Sequence, residues 1–358
     1  MSRQQFAPCP ADGRQKACRR LFSAVLVIAV AVGVSVVTVP ASTTADTLWQ
    51  LPEDRPGSQR QSKASEYRSY MTRADDHAIQ AMEVKIARTL RKPRRPRSYH
   101  ALVEEAVRLY ELAAEVKPDQ AEPHYRAAEV LHTHVLSQPS GGPTIRDRSQ
   151  AERALAHWNA FEKLAPLDPR MNSILDRRAI VYTRLATQAD IERAIVDYET
   201  ALSRSSQVDA RWLGNLAESY MMVGRIDDAI ATYRRALEYS NEPLHGYGLA
   251  VALDRDSQGE LARQVMWAYS MGDRLRSLDS SSVFFVPQGE RYYYSALGYE
   301  VMGDLKLAAL HYRMFIASGA HPRYQPRAIE NLHSVVSRLN DRRRNKASSP
   351  ALPRGLGL

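Results

Sequence analysis

The sequence predicts an all-α protein: a solenoid of stacked helix–turn–helix units closed by a C-terminal capping helix. Three observations predict it. Residues 210–240 divide into two amphipathic halves at a glycine. The same spacings return further along the chain. No series of alternating segments joined by hairpin turns is present that would build a sheet.

In the first half of that stretch, Leu213, Leu216, Ala217 and Tyr220 recur at helical spacing. Gly224 stops the helix, because glycine enters a left-handed turn without a Cβ penalty. In the second half, Ile226, Ala229, Ile230, Tyr233 and Ala236 form the facing stripe, and Asp227, Asp228, Arg234 and Arg235 take the water side. Ala217 and Ala229 are small where two helix axes must approach. The positions Ala217, Tyr220, Gly224, Ile226, Ala229, Tyr233 and Ala236 are matched, 79 residues on, by Ala296, Tyr299, Gly303, Leu305, Ala308, Tyr312 and Phe315.

Taken in order, the chain opens with a basic segment. Residues 1–20 carry five Arg or Lys against Asp12, and Leu21 to Val39 is 19 residues without a charge. Small residues follow, at Val39-Pro-Ala41 and Thr43-Thr-Ala45. This is the pattern of a secretory signal, and the apolar stretch is also long enough to serve as an uncleaved anchor. Residues 1–41 are therefore read as a signal peptide or membrane anchor. The positive flank places residues from about 42 onward outside the cytoplasm in either case, in the periplasm or cell envelope. Both cysteines, Cys9 and Cys18, precede the apolar stretch, which excludes disulfides and thiolate chemistry from the exported part.

Residues 42–63, with Pro52, Pro56 and Gly57, read as a linker. A helix is predicted from about 65 to 91, with Tyr67, Tyr70, Ala74, Ala78, Met82, Ile86 and Leu90 on one face. The basic loop to residue 97 contains Pro93 and Pro96, and residues 64–97 form an N-terminal helix-and-loop unit. The solenoid is expected over 98–340. Helix 99–116 carries Ala106, Tyr110 and Ala113. Tyr125, Ala127, Ala128 and Leu131 open the next pair, interrupted by the loop Pro139-Ser-Gly-Gly-Pro143, and Ala154, Trp158 and Phe161 complete it. Leu185, Ala194, Tyr198 and Ala201 mark a third pair, with bulky Tyr182 in its first helix. A degenerate fifth follows the central stretch, with Ala250, Leu253, Ala262 and Met266, and Pro243 suits its first turn. Residues 275–290 form an insertion containing Phe284 and Phe285, a candidate exposed wedge. Past the sixth pair, Pro326 opens the cap with Ile329, Leu332, Val336 and Leu339 on one side. Residues 341–358 read as a disordered basic tail. The net charge of +9 comes from the flanks, while residues 98–340 are mildly acidic.

These residues resemble the tetratricopeptide repeat (TPR) family, whose helix–turn–helix unit repeats every 34 residues. The resemblance covers roughly 99–322, with the fourth and sixth units matching closely. It implies a right-handed superhelical solenoid whose concave groove, lined by the first helix of each unit, binds a protein or peptide. Carried over position by position, the groove residues are Tyr125, Glu129 and His132; Asp176 and Thr183; Arg211, Asn215 and Glu218; Tyr247 and Asp254; and Tyr293, Tyr294 and Glu300. The recurring tyrosines suit interface anchors. The carboxylate clamp of chaperone-binding members is absent: only Asn215 fits, while Ala179, Thr183, Leu244 and Gly248 stand where Lys, Asn or Arg is needed.

The chain holds no Gly-rich phosphate loop, nucleophile elbow or His-Glu-x-x-His helix, so it is expected to be non-enzymatic and without cofactors. The best metal candidate, His124 with His132-Thr-His134, reads rather as histidines near a loop. The basic run at 88–97 suits an anionic envelope surface better than nucleic acid, which an exported protein rarely meets. The sequence thus predicts a cell-envelope scaffold for protein–protein interaction. The alternative is an accessory protein that holds glycan or lipid through groove tyrosines and basic flanks.

Overall fold

A computed structural model describes residues 56–89, 99–136, 148–279, 284 and 286–348. The apolar stretch at 21–39, the run at 90–97, the loop at 139–143, Phe285 and residues 349–358 lie outside the described residues. Among those described, the chain is helical with no strand. The helices are α1 (Pro56–Thr89), α2 (Tyr99–Val116), α3 (Glu122–Leu136), α4 (Arg148–Leu164), α5 (Met171–Leu185), α6 (Gln188–Arg204), α7 (Ala210–Val223), α8 (Ile226–Tyr239), α9 (Pro243–Arg255), α10 (Gly259–Asp273), α11 (Gln288–Val301), α12 (Leu305–Ser318) and α13 (Gln325–Ser348). They pack chiefly as consecutive pairs, α1 on α2, α3 on α4 and so on to α11 on α12, with α13 laid on α12. This is an all-α solenoid of paired helices.

One turn geometry is reused inside the pairs. Gly224 takes φ +84° and Gly303 φ +85°. In both, the following amide reaches back five residues, Arg225 N–H to Tyr220 C=O at 2.9 Å and Asp304 N–H to Tyr299 C=O at 2.9 Å. Helix-end carbonyls are thereby satisfied. The α9–α10 turn closes the same way, Gln258 N–H to Leu253 C=O at 2.9 Å, but with Ser257 at φ +63° in the glycine position. Here the geometry persists although the sequence signal for it has gone. Caps support the starts of second helices. Thr187 accepts from the Asp190 amide, and Asp304 from the Leu307 amide.

The core runs along the array as one main cluster, with a small second one of Ala81, Tyr99, Leu102 and Val103 on α1 and α2. Ala217, Ala229, Ala296 and Ala308 are fully buried at the helix contacts, and Tyr198, Tyr233 and Tyr312 fill the space between helices. Phe161, bulky where the repeat usually has a small residue, is also fully buried, its ring 5.6 Å from that of Tyr125.

Five sequence expectations are corrected. Helix α1 begins at Pro56, inside the expected linker. Its buried stripe turns onto Ala74 and Ala81, leaving Met82 and Ile86 exposed, because a long helix drifts relative to a fixed face. Helix α13 continues through Arg342-Arg343-Arg344 to Ser348. Its buried face is Ala328 and Val335, with Leu332 and Leu339 beside them, and Ile329 is 39% exposed. Finally, Phe284 is no exposed wedge. It is buried against His245 and Tyr233, with ring centroids 5.2 and 5.7 Å away.

Candidate docking surface

The inner wall of the array is built from the first helices of successive pairs. Side chains join them in order: Glu129 of α3 pairs with Arg177 of α5, and Asp176 of α5 accepts from Arg211 of α7 at 3.0 Å. The wall differs in character along its length.

From α3 to the start of α7 it is open. Tyr125 is half-buried, with the Arg170 guanidinium stacked 4.2 Å from its ring centre, and Arg170 is held by Asp168 and Glu122 at 3.0 and 2.9 Å. Glu129 and Arg177 are partly exposed and Arg211 is exposed. Arg184, near the end of α5, has no carboxylate partner among the described residues, and burial lowers its affinity for its proton. His132 lies under these cations. It is buried with its ring 5.2 Å from Trp158, and burial, helped by Arg177 and Arg184, pushes its imidazole down to about 3. It is therefore neutral at physiological pH. Burial raises the Asp176 carboxyl, with Arg211 opposing.

From the end of α7 through α9 and α11 the wall is filled by the chain itself. Phe284 occupies the space that Gly214 leaves open on α7. A short 3-10 turn, Pro322–Tyr324, and helix α13 then cross the C-terminal ends of α7, α9 and α11 in that order. Arg323 donates to the Val223 carbonyl at 2.9 Å, and Tyr324 to the Met221 carbonyl at 3.0 Å. Arg327 and Asn331 donate to Asp254 at 2.9 and 2.7 Å. Arg338 donates to Glu300 at 2.7 Å, and Arg342 to the Gly303 carbonyl at 3.1 Å.

Beneath this segment lies a buried polar network. Glu218 accepts from Tyr294 and Tyr233, at 2.8 and 2.9 Å. Burial and the neighbouring Glu290 carboxylate push its carboxyl up to about 7. Glu290 pairs with Arg255 and, at 2.8 Å, with His321. Burial opposes its ionisation, yet the charges of Arg255 and His321 hold its carboxyl down at about 2. Arg255 also lies 4.1 Å from the ring centre of Tyr324 and 5.0 Å from that of Tyr293.

The structure therefore separates the groove residues read from sequence. Tyr125, Glu129 and Arg211 lie on the open wall. His132, Asp176, Thr183 and Asn215 are buried in it. Glu218, Tyr293, Tyr294 and Glu300 line the filled wall; both tyrosines have no exposure and Glu300 little, so none of the three can meet a partner while α13 is in place. Tyr247 points between α9 and α10, donating to Asp273 at 2.9 Å, and is core rather than groove. His124 lies beside His157, Nδ1 to Nδ1 at 3.1 Å, rather than with His132. Among the described residues no three or more His, Cys, Asp or Glu side chains come together as metal ligands. Sequence reasoning missed Arg177 and Arg184, which fall one place off the positions carried over, and it missed Arg327 and Arg338, which it assigned to an ordinary cap.

No family model matches this sequence, and no curated protein does. Among solved structures, the crystal structure of the P58(IPK) TPR domain is similar to this chain at 14% identity and a TM-score of 0.33. The match covers 76% of this chain and 66% of that one, so this chain spans a little under two thirds of its length.

Proposed function

We propose that this chain is a non-enzymatic protein-interaction scaffold that holds a protein or peptide against the open inner wall of α3, α5 and the start of α7. The observation that carries this reading is the contrast between the two halves. Tyr125, Glu129, Arg177, Arg184 and Arg211 remain accessible to a partner, whereas the inner surface of α9 and α11 is occupied. An aromatic ring beside guanidinium groups suits a segment that brings both apolar surface and a carboxylate, and Arg184 has no carboxylate of its own among the described residues.

The uncharged stretch Leu21–Val39 behind a basic segment supports export or anchoring, with the solenoid in the cell envelope. Among the described residues no helix is long and apolar enough to cross a membrane. The reading as a glycan- or lipid-holding accessory loses most of its support, because three of its four groove tyrosines are buried. An anionic envelope surface remains a partner for the basic flanks.

The test uses the full chain in envelope extracts, with Tyr125→Ala and an Arg184→Ala/Arg211→Ala pair. Loss of an anchor tyrosine should weaken a discrete protein partner about thirtyfold with melting little changed. Retention of all forms on cell-wall material or anionic vesicles, with no discrete protein, would overturn the reading.

A further inference from the structure

The filled half of the groove points to a second interaction surface, one that goes beyond the open-wall reading and does not rest on it. Its floor is acidic. Asp254 and Glu300 stand one residue before the ends of α9 and α11, while Glu218 and Glu290 behind them are engaged by Tyr233, Tyr294, Arg255 and His321. What lies across that floor is an arginine-bearing helix. Arg327 and Asn331 meet Asp254, Arg338 meets Glu300, and the flanking Arg323 and Arg342 cap the exposed carbonyls of Val223 and Gly303. Each contact reaches the C-terminal end of a helix, where partial negative charge collects.

Helix α13 packs on α12, but what it makes with α9 and α11 is polar. Its fully buried apolar side chains are Ala328 and Val335, both small. The charged contacts are reached by solvent from the arginine side: the Arg327 side chain is 26% exposed and that of Arg338 44%, while the carboxylates they cover, Asp254 and Glu300, are 2% and 6% exposed. Salt reaches these arginines and screens their attraction to the two carboxylates, which water can solvate once the helix has left. A helix held in this way can leave without dismantling the core beneath it, whose tyrosines and alanines belong to the pairs α7–α8 to α11–α12.

We propose that the acidic inner wall of α7, α9 and α11 is a receptor for an arginine-bearing amphipathic helix. Helix α13 is its resident intramolecular ligand, and it is exchanged for a helix of the same chemistry carried by a partner protein. Charge complementarity specifies the occupant: two carboxylates on successive helix ends, matched by two arginines eleven residues apart along one helix.

The test uses the full chain and a fluorescent peptide of residues 322–345. In the wild type the receptor is occupied, and apparent affinity falls by the fraction of molecules with the site open. The chain carrying R327E/R338E should therefore bind the peptide at least about tenfold more tightly than the wild type does. Binding should weaken with salt and vanish when Asp254→Asn and Glu300→Gln are added. A scrambled peptide of the same composition should not bind. Equal binding by wild type and variant, or by the scrambled peptide, would overturn the proposal. So would a substituted chain that dimerises and excludes the peptide, since the occupant would then be a second copy. Should the variant fail to fold, hydrogen exchange on the wild type decides. Helix α13 should exchange before α12, with the gap widening between about 0.05 and about 0.5 M salt. Exchange of α13 together with α12 at both salts would make it an integral cap and overturn the proposal.

Discussion

Gly214 and Phe284 share one space. A Cβ built on Gly214 would lie 2.5 Å from Cδ1 of the Phe284 ring, so the missing side chain in the middle of α7 is what admits the phenylalanine.

That relationship gives a directional prediction. In an exposed helix, Gly→Ala gains up to about 1 kcal/mol. Here Gly214→Ala should instead destabilise by about 1–3 kcal/mol, as overpacking does. Adding Phe284→Ala should remove the clash, so the double variant loses less than the two single losses combined. Urea denaturation of the four proteins measures the coupling, and additive losses would refute the contact.

Tyr293 and Tyr312 should now behave alike. The sequence placed Tyr293 on the groove surface, where truncation costs little stability, and Tyr312 in the core. Both are fully buried, their rings 5.7 Å apart and edge-on. Tyr293 also donates to Asp254, and Tyr312 to Glu300 at 3.1 Å. Each →Ala change should cost about 3–5 kcal/mol. A Tyr293→Ala protein that melts with the wild type would return this residue to the surface.

Glu218 supplies a pH dependence. Its carboxyl has an ordinary value of 4.5 and is pushed up to about 7 in the folded chain, by burial and then by Glu290. The folded state therefore holds the proton more tightly than the unfolded one between those values. The stabilisation is full below about pH 4.5 and is lost as pH rises through about 7, an effect on the order of 3 kcal/mol. The groups facing it are Tyr233 of α8, Tyr294 and Glu290 of α11, Arg255 of α9, and His321. Glu290, held down at about 2, adds stability that is lost only as pH falls below its ordinary 4.5, so it is constant over this window. Buried His132 acts in the opposite sense, losing stability as pH falls from 6.5, but it does so in both proteins and cancels in a comparison. Glu218→Gln should flatten the fall in stability between about pH 5 and 7. Denaturation profiles of wild type and variant that run parallel across that range would show that Glu218 titrates normally.

The paired helices were legible because their signal is local. Alanine, tyrosine and glycine at fixed short spacings set Ala217 against Ala229, and Ala296 against Ala308. All four are buried where two helices meet. The fifth pair was harder to read, since Ser257 replaces the glycine while the backbone turn remains. The candidate site was legible only in part. Tyr125, Glu129 and Arg211 follow from position within a repeat. The filling of α9 and α11 does not, because Arg327 meets Asp254 from 73 residues away and Tyr324 meets Met221 from 103. Contacts of that separation leave no periodic trace. A helix whose arginines serve a groove has the same composition as a solvated cap.

The Tyr324–Met221 hydrogen bond also bears on how the molecule comes apart. In a linear array each unit touches only its neighbours, and unfolding can begin in any unit and spread stepwise. While it is docked, the terminal segment ties α7, α9 and α11 into a closed loop, and those three pairs should then melt as one cooperative block. The pairs before them, which the segment does not reach, keep the graded behaviour of an open array. Because that closing contact spans a long stretch of sequence, it is also expected to form late. Until it does, the pairs of the acidic half are held to one another by their own contacts alone, such as Tyr294 to Glu218.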